Sequence, residues 1–208
     1  LSELVGPRTS GRMSLLLHLL ATATQRGELV AVVDALDMLD VASLEAAGVV
    51  HERLLWVRGH VVINPGMCRD LNQRAMEQAI RALSLVLQAG NFGLVVLDVG
   101  EAPAETLRRL PFTTWLRLQR MVEGSQTVAI LVGRAPMARS SAGLTIKLEN
   151  SIESVEASFA GASCGGGARG RVFRLMPGLD VEGRIVRARV RGQEDTCARF
   201  ATEINVHV

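Results

Sequence analysis

Short apolar runs alternate along the chain with longer segments in which apolar residues recur at helical spacing. The runs predict buried strands, and the periodic segments predict helices packed against them. The predicted strands are residues 4–5, 29–33, 53–57, 92–97 and 127–132. The predicted helices are residues 12–26, a short one between 40 and 48, 71–89, 105–110 and 114–122. This alternation predicts an α/β fold with a mostly parallel central sheet flanked by helices.

Helix boundary signals agree with this pattern. Gly27 is typical of a helix C-terminus, and Asp40 and Asp70 are typical N-caps of the short and the long helix. Gly90 follows the end of the long helix. The residues expected on the buried face of that helix are Leu71, Ala75, Ala79, Leu83 and Val86.

The last third of the chain is richer in strand and turn signals. Residues 144–148, 172–175 and 184–191 predict antiparallel strands, and the glycine-rich residues 161–170 predict a flexible connection. Seven arginines lie between Arg169 and Arg191. We therefore expect a core of residues 1–148, followed by a basic β-rich extension of the same sheet at residues 149–208.

The composition narrows the classes of protein to which this chain can belong. A chain of 208 residues with 48% hydrophobic content can bury a large core, and no long uncharged apolar run predicts a membrane span. Three separated cysteines and four scattered histidines favour a reducing, cytoplasmic setting over a disulfide framework or a zinc site. The chain begins at Leu1 rather than Met, so we expect it to be part of a longer protein.

The first strand and helix are joined by GPRTSGRMS, which has the Gly-x-x-x-x-Gly spacing of a phosphate-binding loop. Such a loop continues with Lys and then Ser or Thr, whereas this chain has Arg12 and Met13. A thioether is a poor magnesium ligand, and Ser14 lies about 100° further around the helix. A tight turn without a ligand remains the alternative. The candidate nucleotide-binding residues are Gly6, Arg8, Thr9, Ser10, Gly11, Arg12, Met13 and Ser14.

Asp98 is a further candidate nucleotide-binding residue, because it follows the apolar run 94–97 at the carboxyl edge of the predicted sheet. A carboxylate there would hold the magnesium shell of a nucleotide. Many buried strands end in Asp without binding a metal, so this interpretation also has a structural alternative.

Residues 1–148 resemble the RecA fold, and the chain is similar above all to the RecA-like ImuA family of bacterial translesion-mutagenesis accessory proteins. The resemblance rests on the glycine loop, on VAVVDALDMLD and on LVVLDVGE. It implies that Leu36 stands where RecA has the catalytic Glu, and that Gly133 lies near the place of the γ-phosphate-sensing Gln. Leucine cannot act as a base. With Arg12 and Met13 these losses predict a protein that is not an ATPase, and neither ATP nor magnesium is expected as a cofactor.

Three functions follow from these features. The resemblance implies a non-catalytic accessory protein of the DNA-damage (SOS) response, acting in translesion synthesis with an ImuB-type partner and a DnaE-type polymerase, and engaging RecA. A weak ATPase or recombinase paralogue with Arg12 in the lysine role is the second hypothesis. A DNA-binding module is the third.

Basic side chains are the candidates for a nucleic-acid or partner contact. A strand over 184–191 would place alternate arginines on one face, with Val186 and its alternates on the core side. Phosphates or an acidic protein would suit that stripe, and a solvated edge strand is the alternative. The candidates are Arg134, Arg139, Arg184, Arg187, Arg189 and Arg191.

Overall fold

A computed structural model describes residues 1–59, 69–150, 178–189 and 196–203. The strands are β1 (Ser2–Val5), β2 (Val30–Asp34), β3 (Leu54–Arg58), β4 (Leu94–Asp98), β5 (Val128–Gly133), β6 (Leu144–Asn150), β7 (Gly178–Ala188) and β8 (Cys197–Glu203). The α-helices are α1 (Arg12–Gln25), α2 (Val41–Ala46), α3 (Arg69–Ala89), α4 (Ala104–Arg108) and α5 (Phe112–Val122). Short 3-10 turns lie at His51–Arg53 and Arg139–Ser141.

Within the described ranges, all the strands belong to one sheet in the order β3-β2-β4-β5-β1-β6-β7-β8. The first six of these are parallel, and β7 and β8 are added antiparallel at one edge. The predicted α/β fold with a mostly parallel sheet followed by antiparallel C-terminal strands is confirmed.

Three details of the extension differ from the sequence prediction or lie beyond it. β6 lies between β1 and β7, so it pairs in parallel with β1 and is antiparallel only to β7. β8 was not predicted, since its residues show no regular apolar alternation. The predicted strand 172–175 and the glycine-rich residues 161–170 lie outside the described residues.

The helices bury opposite faces of the sheet. One apolar cluster joins α3 and α5 to the sheet, and the other joins α1 and α2 to the opposite face and includes Val181 of β7. Asp40 caps α2 as predicted, with its Oδ1 accepting a hydrogen bond of 2.8 Å from the Ser43 N–H. Gly27 follows α1 with a φ of 88°, which favours glycine at a helix C-terminus.

Two predictions about α3 are wrong. The helix begins at Arg69, so Asp70 lies within its first turn instead of at the cap position. Leu71 is 54% exposed, whereas Asn72 is buried. Each four-residue step advances about 40° around a helix, which carries Leu71 away from the centre of the face formed by Met76, Ile80 and Leu83.

Candidate functional site

The candidate site lies at the carboxyl edge of the sheet, where β1, β4 and β5 are neighbours. The loop from Gly6 to Gly11 leads from β1 into α1 and keeps the predicted turn. The Gly6 N–H donates to the Gly133 carbonyl at 3.1 Å, and the Ser10 N–H donates to the Pro7 carbonyl at 3.1 Å. Gly11 precedes α1 with a φ of 76°, in the left-handed region that favours glycine. The glycine spacing therefore specifies this backbone shape.

Arg12 turns its guanidinium group back into the edge of the sheet instead of toward solvent. The residue is 3% exposed. Its Nη1 donates to the Gly6 carbonyl at 2.6 Å and to the Gly133 carbonyl at 3.0 Å, and its Nη2 lies 3.4 Å from Glu101 Oε1. The guanidinium thus links the ends of β1 and β5 to the segment that follows β4. The guanidinium donors, which could otherwise bind an anion, are directed at these acceptors instead.

Asp98 ends β4 beside this guanidinium. Its Oδ1 accepts a hydrogen bond of 2.8 Å from the Gly100 N–H. Burial raises the pKa of Asp98 from 3.8 to about 6, against the lowering effects of the Gly100 N–H and the Arg12 charge, while Asp34 and Glu101 raise it further. A carboxylate that supports a magnesium shell has to be ionised, and burial works against that state here.

Glu101 is a site residue that the sequence analysis missed. Its carboxylate contacts Arg12 through one oxygen and accepts a hydrogen bond of 2.6 Å from Arg134 Nη2 through the other. Arg134 also donates from Nε to the Gly100 carbonyl at 3.1 Å. Glu101 is the last residue of the motif LVVLDVGE, but its partners Arg12 and Arg134 are far away in sequence, so only the fold brings them together.

The glycine loop is packed from the side by β6 and β7. A Cβ atom on Gly11 would collide with the Val181 side chain, and one on Gly6 would lie 2.6 Å from the Leu148 carbonyl oxygen. Ser10 is fully buried, and no group in the described part of the chain hydrogen-bonds with its Oγ. Arg8 and Thr9 are exposed at the tip of the loop, and Met13 and Ser14 are half-buried.

These residues do not fit a magnesium–nucleotide. The Gly6 and Gly133 carbonyls face a guanidinium that fills the space between them, and Met13 offers no hydroxyl at the ligand position. Val181 packs against Gly11, which directly precedes α1 and its first backbone N–H groups. In the described ranges, no group of three or more His, Cys, Asp or Glu side chains could hold a metal ion.

The neighbouring strand end, at β2, likewise has its carboxylates engaged. Leu36 lies in the apolar core, as expected for a residue that neither polarises water nor accepts a proton. Asp37 forms a two-point ion pair with Arg58, with distances of 2.6 and 2.7 Å, and the hydrogen bond from Arg58 lowers the pKa of Asp37. Asp34 accepts hydrogen bonds from the Met38 and Leu39 N–H groups at 3.0 and 2.8 Å. Each of these carboxylates therefore stabilises the local loop.

The predicted arginine stripe is not one continuous surface. A register shift in β6 between Thr145 and Ile146 interrupts the alternation of β7, and Val186 is 40% exposed instead of facing the core. Arg187 donates to the Arg139 carbonyl, Arg189 lies 3.6 Å from Glu123, and Arg184 lies 4.0 Å from Glu182. Arg191 lies outside the described residues. DNA binding by these side chains stays a prediction.

Three features define this chain as RecA-like in fold. The sheet is mostly parallel and flanked by helices, a glycine loop leads from β1 into α1, and an aspartate ends β4, which β5 separates from β1. No helix in the described ranges has the length and apolar character needed to cross a bilayer.

Comparison with known proteins agrees with this class. The chain is 26% identical over 151 residues to Protein RecA of Desulfotalea psychrophila, which covers 66% of the chain and 39% of that protein. It is 33% identical over 97 residues to Protein RecA of two Nitratidesulfovibrio vulgaris strains, DP4 and Hildenborough, covering 47% of the chain and 23% of each protein. The chain therefore spans less than half the length of these relatives. No protein-family profile matches it. These figures support a distant relationship to RecA.

Proposed function

We propose that this chain is a non-catalytic, RecA-like accessory protein of the bacterial DNA-damage (SOS) response. Its partners would be an ImuB-type protein and a DnaE-type polymerase in translesion synthesis, with RecA itself as a further target, and its setting the cytoplasm. The observation that carries the non-catalytic part is the buried Arg12 guanidinium, which contacts the Gly6 and Gly133 carbonyls. The similarity to RecA proteins supports the DNA-damage context.

The chemistry of phosphoryl transfer explains why the proposed role has no turnover. That reaction depends on positioned cations, a magnesium ligand and a group that orients the attacking nucleophile. This chain has an arginine turned into its own backbone, Met13 in place of the hydroxyl and the buried Leu36 in place of the base. Loss of a single positioned group of this kind costs about 100- to 1,000-fold in rate, so the combined changes leave no useful activity.

ATP hydrolysis is the first test. We expect no magnesium-dependent phosphate release above that of an Asp98→Ala variant, because Asp98 is the candidate magnesium-shell carboxylate at the end of β4. The assay should be run at high protein concentration, with and without single-stranded DNA. Turnover that requires magnesium and disappears in Asp98→Ala would instead favour the weak-ATPase hypothesis.

Restoring the missing groups separates binding from chemistry. Arg12→Lys with Met13→Thr frees the two strand-end carbonyls and supplies the lysine and hydroxyl of a phosphate-binding loop. If Arg12 and Met13 alone limit affinity, calorimetry will detect binding of ATP with magnesium to this double variant but not to the parent chain; no heat from the double variant would mean that Val181 keeps the loop closed. Because Leu36 still supplies no carboxylate, the double variant should not hydrolyse what it binds. Turnover by the double variant would contradict the place given to Leu36.

The partner part of the proposal has its own test. Purified RecA and an ImuB-type protein from the same cell should each be passed over the immobilised chain, with and without ATP. We expect retention of at least one of them, with no nucleotide dependence contributed by the immobilised chain, since Arg12 contacts its strand-end carbonyls. Failure to retain either protein would remove the translesion role and leave the absence of hydrolysis untouched.

A further inference from the structure

A cavity of about 300 Å³ lies outside the glycine loop, between helices α4 and α5 and the segment from Arg134 to Arg139 that follows β5. Its floor is apolar and includes Trp115, Leu110 and Met137. Phe112 lies at its rim and is partly exposed. Its volume is at the lower end of the range of about 300–1,000 Å³ that ligand pockets occupy. The cavity can therefore accept one or two apolar side chains.

The charged side chains that line this cavity all have the same sign. Arg108, Arg134 and Arg139 line it, and no described residue of the lining is acidic. Arg187 extends the basic surface outward by donating to the Arg139 carbonyl. Arginine guanidinium groups form two-point hydrogen bonds with carboxylates, which makes a cluster of them a recognition site for acidic groups.

The walls of the cavity are held by buried polar contacts. Glu3 of β1 is buried and accepts hydrogen bonds of 2.7 Å from the Met137 and Ala138 N–H groups, and one of 2.8 Å from the Thr145 hydroxyl. Arg134 is tied to Glu101, which also contacts the Arg12 guanidinium. A cavity fixed in this way before binding loses less conformational entropy when a ligand enters.

Arg139 adds a feature that is unusual for a loop residue. Its φ is 49°, in the left-handed region that a residue with a Cβ adopts at a cost in energy. Such conformations persist where the surrounding structure enforces them, and they are concentrated at binding sites. Here the conformation begins the 3-10 turn Arg139–Ser141 beside the cavity, where the Arg139 carbonyl accepts the bond from Arg187.

We propose that this cavity is a docking site for an acidic peptide segment of a partner protein, with one or two apolar side chains inserted over Trp115 and flanking carboxylates paired with Arg108 and Arg139. The proposal extends the accessory role by giving the chemistry of a partner. It does not depend on the absence of ATP hydrolysis, because no residue of the glycine loop lines this cavity.

The shape of the cavity favours a peptide over single-stranded nucleic acid. Non-specific single-strand sites stack successive bases on exposed aromatic faces. Trp115 is buried, and among the cavity-lining residues only Phe112 presents an exposed aromatic ring. Aromatic residues make up 3% of the whole chain, with no tyrosine. An apolar recess surrounded by guanidinium groups instead matches a short acidic motif with an apolar anchor.

The test uses a fluorescently labelled peptide, Gly-Asp-Glu-Asp-Leu-Phe-Asp-Glu-Asp-Gly, and a matched peptide with Ser-Ser in place of Leu-Phe. Binding to the chain is followed by anisotropy. The cavity variant is Arg108→Glu with Arg139→Glu. The control is Arg26→Glu, an exposed arginine that directly follows the C-terminal end of α1 and does not line the cavity. A Trp56→Phe background leaves Trp115 as the single tryptophan, so its emission reports contact at the cavity floor.

We expect the Leu-Phe peptide to bind the parent chain and Arg26→Glu alike, and the cavity variant at least about tenfold more weakly. The Ser-Ser peptide should also bind at least about tenfold more weakly, and the Leu-Phe peptide should shift the Trp115 emission. Three results would overturn the proposal: no binding to the parent chain, equal binding of the two peptides, or equal loss in Arg26→Glu. Binding of an oligothymidylate of about 20 nucleotides that is lost in the cavity variant, without peptide binding, would assign the cavity to nucleic acid.

Discussion

Replacing Arg12 by methionine tests whether its guanidinium holds the carboxyl edge of the sheet together. Methionine keeps an unbranched apolar stem that ends near the position of the arginine Nε, and it has neither the charge nor the donors of the guanidinium. In the variant, the Gly6 and Gly133 carbonyls lose donors at 2.6 and 3.0 Å, and Glu101 loses one of its two cationic neighbours. Arg134 remains beside Glu101, and the Gly133 carbonyl keeps the Gly6 N–H as a donor, so the effect is concentrated at the Gly6 carbonyl and at Asp98.

The expected loss follows from these contacts. A hydrogen bond to a charged group contributes about 1.5–3 kcal/mol, and a buried carbonyl left without a donor costs about 1–3 kcal/mol. Breaking a buried charged contact by removing one side typically costs about 3–5 kcal/mol. Relief from burying the guanidinium offsets part of this, so we expect the free energy of unfolding to fall by about 3 kcal/mol. For a chain of this size, that lowers the melting temperature by roughly 10 °C.

Urea unfolding of the parent, Arg12→Met, Arg12→Lys and Arg8→Met measures this effect. Arg8 is an exposed arginine of the same loop, so its variant should differ from the parent by no more than about 0.5 kcal/mol. Lysine keeps the charge but not the planar fork, and it should recover about half of the loss. Arg12→Met within about 0.5 kcal/mol of the parent would refute the structural role of the guanidinium.

The pH dependence adds a second signature to the same experiment. Without the Arg12 charge the pKa of Asp98 should rise further, because that charge is one of the contributions that lower it. The ionised carboxylate is then the more costly form, so the loss in Arg12→Met should be larger at about pH 8 than at about pH 5. A loss that is the same at both pH values would mean that Arg12 and Asp98 do not interact.

Three further predictions concern neighbouring residues. The pKa of Asp98 is about 6 in the folded chain and 3.8 in the unfolded chain. The stabilisation that Asp98 contributes is therefore fully present below pH 3.8, and it falls by about 3 kcal/mol as the pH rises through 6. Asp98→Asn should remove this pH dependence from the free energy of unfolding in urea titrations. Gly11→Ala should destabilise by at least about 1 kcal/mol more than Gly124→Ala, because both have positive φ but only Gly11 meets Val181; equal losses in thermal melts would exclude that contact. Glu3→Gln should lower the free energy of unfolding in urea by about 1–3 kcal/mol, and it should speed amide exchange in the segment from Arg134 to Arg139. Unchanged exchange in that segment would contradict the role of Glu3 in holding the cavity wall.

The sequence by itself determined most of the core. Continuous apolar runs at β2 and β4 predict strands buried on both faces, and every residue of both strands is buried. The glycine spacing in the loop before α1 predicts the turn that the structure has, because Gly11 adopts a positive φ, which glycine tolerates best. These features depend on neighbours in the chain, so periodicity and turn chemistry are sufficient to predict them.

Only the tertiary structure decided what the candidate side chains do. Arg12 reads in the sequence as a substitute for a lysine, but its partners include Gly133 and Glu101, which other strands bring to the same edge. Val181 reaches Gly11 because β7 pairs with β6 beside β1. A hydrogen bond of a few ångströms between residues about a hundred positions apart is set by strand order and register, which no local pattern encodes. The loop is a property of the sequence, and its closure by a guanidinium and a valine is a property of the fold.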